Sequence, residues 1–315
     1  MDSKTIIFLL IGLLLLLTSG KFLVESSVKI ARHFRIPSGI IGLTIVAFGT
    51  SAPELLVSLQ AAIQGHPDMA LGNVVGSNIS NILLVLGITT IIFPMAVHRS
   101  SILRDWPILM AVTMVLALFL LDLSITRTEG VLLLLLLSAY LAFSVYQSKI
   151  FNNENHSSEI PKTNDKWGYA VLIFLASCVG LAIGANFLVV NASVLAKSIG
   201  ISERVISISM VALGTSLPEL STSIIAAFKK ETELSIGNII GSNIMNILSV
   251  LGFTTLIKPI HSVREVLNID IPWMFGAVVL LLLFMIPARK GRINRFEGSI
   301  MLLAYATYIY FIFKA

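Results

Sequence analysis

The sequence is short of charge, cysteine and long polar stretches. Its 315 residues contain only 12% Asp, Glu, Lys and Arg, against roughly 25% in soluble domains. The deficit comes with 56% hydrophobic residues and a mean hydropathy of +0.91. A chain so poor in charge reads as an all-α integral membrane protein that crosses the bilayer many times. The single cysteine, Cys178, excludes an internal disulfide and a thiolate metal cluster. No paired histidines are placed to favour zinc or copper. There is no basic stripe interleaved with aromatics, so membrane topology, and not nucleic acid, accounts for the net charge of +5. The polar connector from Phe151 to Lys166 is too short for a folded regulatory domain.

What is present is a set of apolar runs. Five of spanning length fall at roughly 5–31, 36–64, 70–97, 103–122 and 129–149. Five more follow at about 168–197, 201–228, 234–258, 268–288 and 296–313, which predicts ten transmembrane helices. The first run, Asp2 to Leu17, is short enough to pass for a signal peptide. No small-residue cleavage site follows it, and Lys21 and Glu25 continue the helical pattern, so it reads as a first span.

The two halves repeat at an offset of 165 residues. Between Ile41–Ala62 and Ile206–Ala227, 12 of 22 positions are identical; between Leu71–Gly87 and Ile236–Gly252, 12 of 17 are. The flanking spans match only in hydrophobicity, so the identity is concentrated where a shared site is expected. Five spans is an odd number, and the second half must therefore enter the membrane from the opposite side. The predicted organisation is a first five-helix repeat at 1–150, a cytoplasmic linker at 151–166 and a second, inverted repeat at 167–315. Placing the N-terminus outside puts 14 Lys and Arg in cytoplasmic loops and 7 in external ones, with Lys21 left inside a span. Both termini are accordingly expected outside the cytoplasm.

The conserved heart of each half breaks its own helix. Ala47 to Glu54 reads Ala-Phe-Gly-Thr-Ser-Ala-Pro-Glu, and Ala212 to Glu219 reads Ala-Leu-Gly-Thr-Ser-Leu-Pro-Glu. Proline lacks an N–H and clashes with the carbonyl four residues back, so spans 2 and 7 are predicted to open near Gly49 and Gly214. Each span is about 28 residues, or about 42 Å if straight, against a hydrocarbon core of roughly 30 Å, which puts the motif near mid-depth. A carboxylate there costs at least a few kcal/mol and calls for a partner. Glu54 and Glu219, the hydroxyls of Ser51 and Ser216, and the carbonyls of Ala47, Thr50, Ala212 and Thr215 are hard oxygen donors suited to Ca²⁺ or Na⁺. A simple Pro-Gly kink with a stray protonated glutamate explains one motif more easily than two matched ones.

A second pair of motifs follows. Gly72 to Asn81 reads Gly-Asn-Val-Val-Gly-Ser-Asn-Ile-Ser-Asn, and Gly237 to Asn246 reads Gly-Asn-Ile-Ile-Gly-Ser-Asn-Ile-Met-Asn. Gly72 with Gly76, and Gly237 with Gly241, form small faces that admit another helix. Ser77 and Asn81 share a helical face, as do Ser242 and Asn246, and these four are expected at the ion site. Asn73, Asn78, Asn238 and Asn243 are expected to bond between helices instead.

Two copies of Gly-Thr-Ser-x-Pro-Glu, each followed by Gly-Asn-x-x-Gly-Ser-Asn, resemble the repeats of the cation/calcium exchanger superfamily, and within it the prokaryotic sodium/calcium exchangers. The likeness covers nearly the whole chain. It implies ten helices in inverted repeats and antiport of Na⁺ against Ca²⁺, with spans one and six sliding across the rest to alternate access. It also implies that Glu54 and Glu219 are central ligands, surrounded by the Thr50 and Thr215 carbonyls and by Ser51, Ser216, Ser77 and Ser242. The implied partners are Ca²⁺, Na⁺ and the lipid bilayer of the plasma or inner membrane, with no organic cofactor, and a single copy is expected to suffice. Many relatives carry an aspartate in one repeat where this chain has Asn81 and Asn246. Weaker Ca²⁺ binding and altered use of K⁺ or Li⁺ both follow as open expectations.

Other readings fit less well. Proton-coupled relatives tend to carry Gly-Asn-Ala-x-Glu in the second motif, where this chain has Gly-Ser-Asn. An intramembrane enzyme using the glutamates as acid and base lacks a nucleophile constellation and leaves the repeat unexplained. A channel fits poorly with a deep, charged site. Lys21 and Glu25 are four apart and suggest a local ion pair or snorkelling. His66, His98 and His261 are expected in loops, and Asp105 and Asp270 at helix starts.

Overall fold

A backbone inside a bilayer must satisfy its hydrogen bonds within its own segment, so the long aliphatic runs have little choice but to form helices. The computed structural model describes residues 3–34, 36–154, 167–198, 214–262, 264–286 and 291–314. In chain order its helices are α1 (Ser3–Phe34), α2 (Ser38–Thr50), α3 (Ala52–Ile63), α4 (67–92), α5 (Ser101–Asp122) and α6 (Arg127–Glu154). There follow α7 (Trp167–Ser198), α8 (Leu217–Phe228), α9 (Thr232–Ile257), α10 (Val266–Met285) and α11 (Arg295–Lys314). Among the described residues seven helices are long and apolar enough to cross a membrane, or eight if α2 and α3 count as one bent span. Ala212, the first part of expected span seven and most of the 151–166 connector lie outside the described residues.

The expected break is present. Between α2 and α3 the axis bends by 43°, and Ser51 at the joint leaves helical geometry with φ −83° and ψ 6°. Pro53 sits in the first turn of α3 and Pro218 in the first turn of α8, where a missing N–H does least harm. Four widened, π-type turns also recur at the repeat offset: Asn81–Leu86 with Asn246–Leu251, and Ser101–Asp105 with Val266–Asp270. The second pair lies just ahead of Pro107 and Pro272, whose rings displace the carbonyls of the preceding turn.

Helices α4 and α9 form the centre, with 72% and 89% of their spanning windows buried, whereas the windows of α1, α6 and α7 are 28% buried. Close backbone contacts fix their neighbours. A Cβ on Gly42 of α2 would stand 2.5 Å from the Leu234 carbonyl, and one on Gly237 2.5 Å from that of Gly39. Gly241 abuts the backbone of Leu43 in the same way. Gly237 and Gly241 thus form the predicted small face, and α2 occupies it. On the periphery α1 runs along α7, where Gly12 and Gly184 bring the two backbones together.

Two short ribbons mark the ends of the bundle. Met95–Ala96 pairs antiparallel with Arg292–Ile293 at one end, and Ser124–Ile125 with Ile260–His261 at the other. The first end also holds the ion pairs Glu25–Lys229 (2.5 Å) and His98–Glu233 (2.8 Å). Glu25 therefore reaches across to the α8–α9 turn and does not settle for Lys21 on its own helix. Asp105 pairs with Arg104, and Asp270 accepts from the Tyr308 hydroxyl at 3.1 Å.

Candidate cation site

The bend at Ser51 and the start of α8 bring the first turns of α3 and α8 to the middle of the bundle. Each carries a glutamate, and both Glu54 and Glu219 are fully buried. Among the described residues neither forms an ion pair with a base. No hydrogen bond of full geometry reaches either oxygen of Glu54, which faces the Thr215 hydroxyl and the other carboxylate. Glu219 differs: its Oε1 accepts from Ser51 and from Ser242, each at 3.2 Å, while Oε2 is left without a partner. Burying a carboxylate unpaired costs several kcal/mol, so the pair marks a place built for positive charge.

Hydroxyls connect the two halves around these carboxylates. The Thr50 and Ser242 oxygens are 3.2 Å apart, and so are those of Ser77 and Thr215, the same two positions exchanged between repeats. Thr50 also donates to Asn238 Oδ1 at 3.2 Å, and Thr215 to Asn73 Oδ1 at 3.4 Å. Every partner here comes from the opposite half of the chain.

The asparagines form a second layer with the same cross-over. Asn81 donates to Asn243 Oδ1 at 3.4 Å, and Asn246 donates to Asn78 Oδ1 at 3.1 Å. With their N–H₂ groups held this way, the Oδ1 atoms of Asn81 and Asn246 remain buried and unpartnered. They are acceptors held free of donors, which is the state in which an amide can ligate a hard cation. Asn78 also donates to the Asn243 carbonyl at 3.2 Å, so the expected helix-to-helix role of Asn78 and Asn243 matches the geometry.

Of the twelve residues expected at the site, Glu54, Glu219, Thr50, Thr215, Ser51, Ser216, Ser77, Ser242, Asn81 and Asn246 lie buried in this central network. Ala47 is buried beside it; its carbonyl accepts from the Ser51 N–H at 2.9 Å and lies 3.3 Å from the Thr50 hydroxyl, whose one proton it shares with Asn238. Ala212 lies outside the described residues. One residue of the network was not singled out: Ser80, whose hydroxyl is 2.7 Å from that of Ser216. Its signal was its mismatch with Met245 at the repeat offset. Among the described residues no three of His, Cys, Asp and Glu converge, so the charged donors are these two carboxylates alone.

Comparison with known proteins gives matches over nearly the whole chain. The family described as "Sodium/calcium exchanger protein" matches residues 4–146 and 169–314. The putative antiporter CaxA of Alkalimonas amylolytica is 42% identical over 315 residues, covering 98% of each chain. The sodium/calcium exchanger MaX1 of Methanosarcina acetivorans is 31% identical over 359 residues, covering 99% of each. A solved structure of the sodium-calcium exchanger NCX_Mj, soaked with Na⁺ and Ca²⁺, superimposes with a TM-score of 0.83 at 31% identity and covers 98% of each chain.

Proposed function

The chain belongs to the sodium/calcium exchanger protein family, and from that premise we propose that it exchanges Na⁺ for Ca²⁺ as a secondary antiporter with both ions bound at its centre. It is a multi-pass membrane protein and a transporter, not an enzyme, as its named relatives are antiporters and exchangers. The observation that carries the proposal is the pair of buried carboxylates without a basic partner, ringed by neutral oxygens from both halves.

Electrostatics gives the exchange a simple basis. Two glutamates carry a formal charge of minus two, which one Ca²⁺ or two Na⁺ neutralise. Either load satisfies the same site, so the two ions compete for it. A third Na⁺ would leave the site positive, so a 3:1 stoichiometry rests on the family resemblance and not on these residues. Glu54 and Glu219 hold the ions in this reading. Thr50, Thr215, Ser51, Ser216, Ser77 and Ser242 supply hydroxyl or carbonyl oxygens, and Asn81 and Asn246 supply their free Oδ1 atoms. The Ala47 carbonyl joins them only if Thr50 turns away, and Ala212 is its counterpart.

The architecture that suits this role is ten spans in two inverted five-helix repeats, divided at 150 and 167 by a cytoplasmic linker. Support comes from the repeat offset and from ribbons that pair a turn of one half with a turn of the other at each end. Alternating access follows if α1 and α7, the peripheral helices joined through Gly12 and Gly184, slide together across the core. Both termini lie outside the cytoplasm in this scheme, and one copy in the cell membrane is sufficient.

The deciding experiment is uptake of radiolabelled Ca²⁺ into proteoliposomes under an outward Na⁺ gradient, compared with K⁺ and pH gradients. Na⁺ alone should drive it. Uptake driven by the pH gradient alone would sink the sodium assignment.

A further inference from the structure

The site is nearly two-fold symmetric, and one of its departures from that symmetry involves a residue with no polar counterpart in the other half. Ser51 and Ser216 occupy matched positions, as do Glu219 and Glu54. Ser51 donates to Glu219 Oε1 at 3.2 Å, so symmetry would have Ser216 donate to Glu54. It does not. Its hydroxyl is instead 2.7 Å from that of Ser80, and the residue matching Ser80 in the other half is Met245, which offers no comparable oxygen.

Proton counting gives this contact a direction. A serine hydroxyl has one proton. The Ser80 hydroxyl also has the Ser77 carbonyl at 3.0 Å, an acceptor with no proton to return, so the arrangement that fills both contacts has Ser216 donating to Ser80. In that arrangement the one proton of Ser216 points away from Glu54, in keeping with both Glu54 oxygens being without a full hydrogen bond. All four residues are buried.

We propose that Ser80 is a positioning residue that sets the ion preference of the site by holding the Ser216 proton away from Glu54. This rests on the exchanger reading above and adds to it a residue that touches neither the carboxylates nor, by its place behind Ser216, the ions. A cation at Glu219 competes with two hydroxyl protons already bound to that carboxylate. A cation at Glu54 meets only the Thr215 hydroxyl beside that carboxylate, and it finds the Ser216 lone pairs turned toward it. Ser80 thereby adds to a difference already made by Ser77, which does not bond Glu54 as Ser242 bonds Glu219. The effect is larger for Ca²⁺ than for Na⁺, because the interaction with a carboxylate scales with the cation charge. Without Ser80, the Ser216 proton turns to Glu54 as that of Ser51 turns to Glu219.

The test is calorimetric titration of purified protein with Ca²⁺ and, separately, with Na⁺. Ser80→Ala should weaken Ca²⁺ binding about three- to tenfold, the scale of one hydrogen bond between neutral groups, and weaken Na⁺ binding less. Ser80→Thr, which keeps the hydroxyl, should bind both ions as the parent chain does. In a Ser216→Ala background the Ser80→Ala change should have no further effect on Ca²⁺ binding. Equal loss with and without Ser216, or a Ca²⁺ to Na⁺ affinity ratio unmoved by Ser80→Ala, would overturn the proposal. Binding of neither ion by the parent protein would instead bring down the exchanger reading itself, and this one with it.

Discussion

The hydroxyl of Ser51 donates to Glu219 Oε1 at 3.2 Å, joining the broken helix of the first half to the carboxylate of the second. The bond crosses 168 residues of sequence, so neither half of the chain completes its own site. A glutamate placed by one repeat is served by the hydroxyls of the other. Removing either carboxylate must therefore affect both ions at once.

Glu54→Gln and Glu219→Gln are expected to act in opposite directions on transport and stability. Each leaves one formal charge, so Ca²⁺ affinity should fall at least about tenfold and exchange should largely stop. The ion-free protein should nevertheless melt later, by roughly 2–4 °C for each kcal/mol gained, because a buried amide is tolerated better than an unpaired carboxylate. Glu54→Gln should give the larger gain, since Glu54 has no hydroxyl donor of full geometry. Titration in the presence and absence of Ca²⁺, with a melting curve for each, checks both parts. Retained Ca²⁺ exchange in the double variant would remove the proposed ligands.

The close approach of α2 at Gly241 leaves no room for alanine. A methyl on Gly241 would meet the backbone of Leu43, which cannot rotate aside, and the cost of such overpacking is at least about 1–3 kcal/mol. Gly241→Ala should lower the yield of monodisperse protein and its melting temperature. Unchanged yield and melting temperature would mean that α2 does not lie against α9 as described.

Labelling can establish which end of the bundle faces the cytoplasm. His261 and Arg292 are exposed and belong to the two ribbons at opposite ends. With Cys178 replaced by alanine, His261→Cys should react with an impermeant thiol reagent in intact cells. Arg292→Cys should react only after the membrane is opened. The reverse pattern would invert the assigned orientation, and labelling of both from outside would contradict the placement of the ribbons.

Much of the fold was legible because its signals travel along the chain. Hydropathy over a spanning window and proline four residues from a carbonyl are local matters, and they located the apolar helices and the break near Gly49. The repeat offset added which positions should meet. Partner choice among buried polar groups is not local. Ser51, Ser77, Ser80, Ser216 and Ser242 have the same chemistry, and nothing in the order of residues says which hydroxyl gives its proton to which oxygen. Likewise Lys21 is the sequence neighbour of Glu25, yet Lys229 is its partner.

The amino-acid sequence by itself therefore determined that this is a multi-span helical protein, that two carboxylates lie in its middle, and that hydroxyls and amides of four repeated motifs accompany them. Tertiary structure alone decided how those groups are shared. The glycine contacts of α2 with α9 set which helix faces meet, and a hydroxyl has only one proton to give once they do. That is why Glu219 receives two hydrogen bonds and Glu54 none of full geometry, although the motifs that carry them are nearly identical.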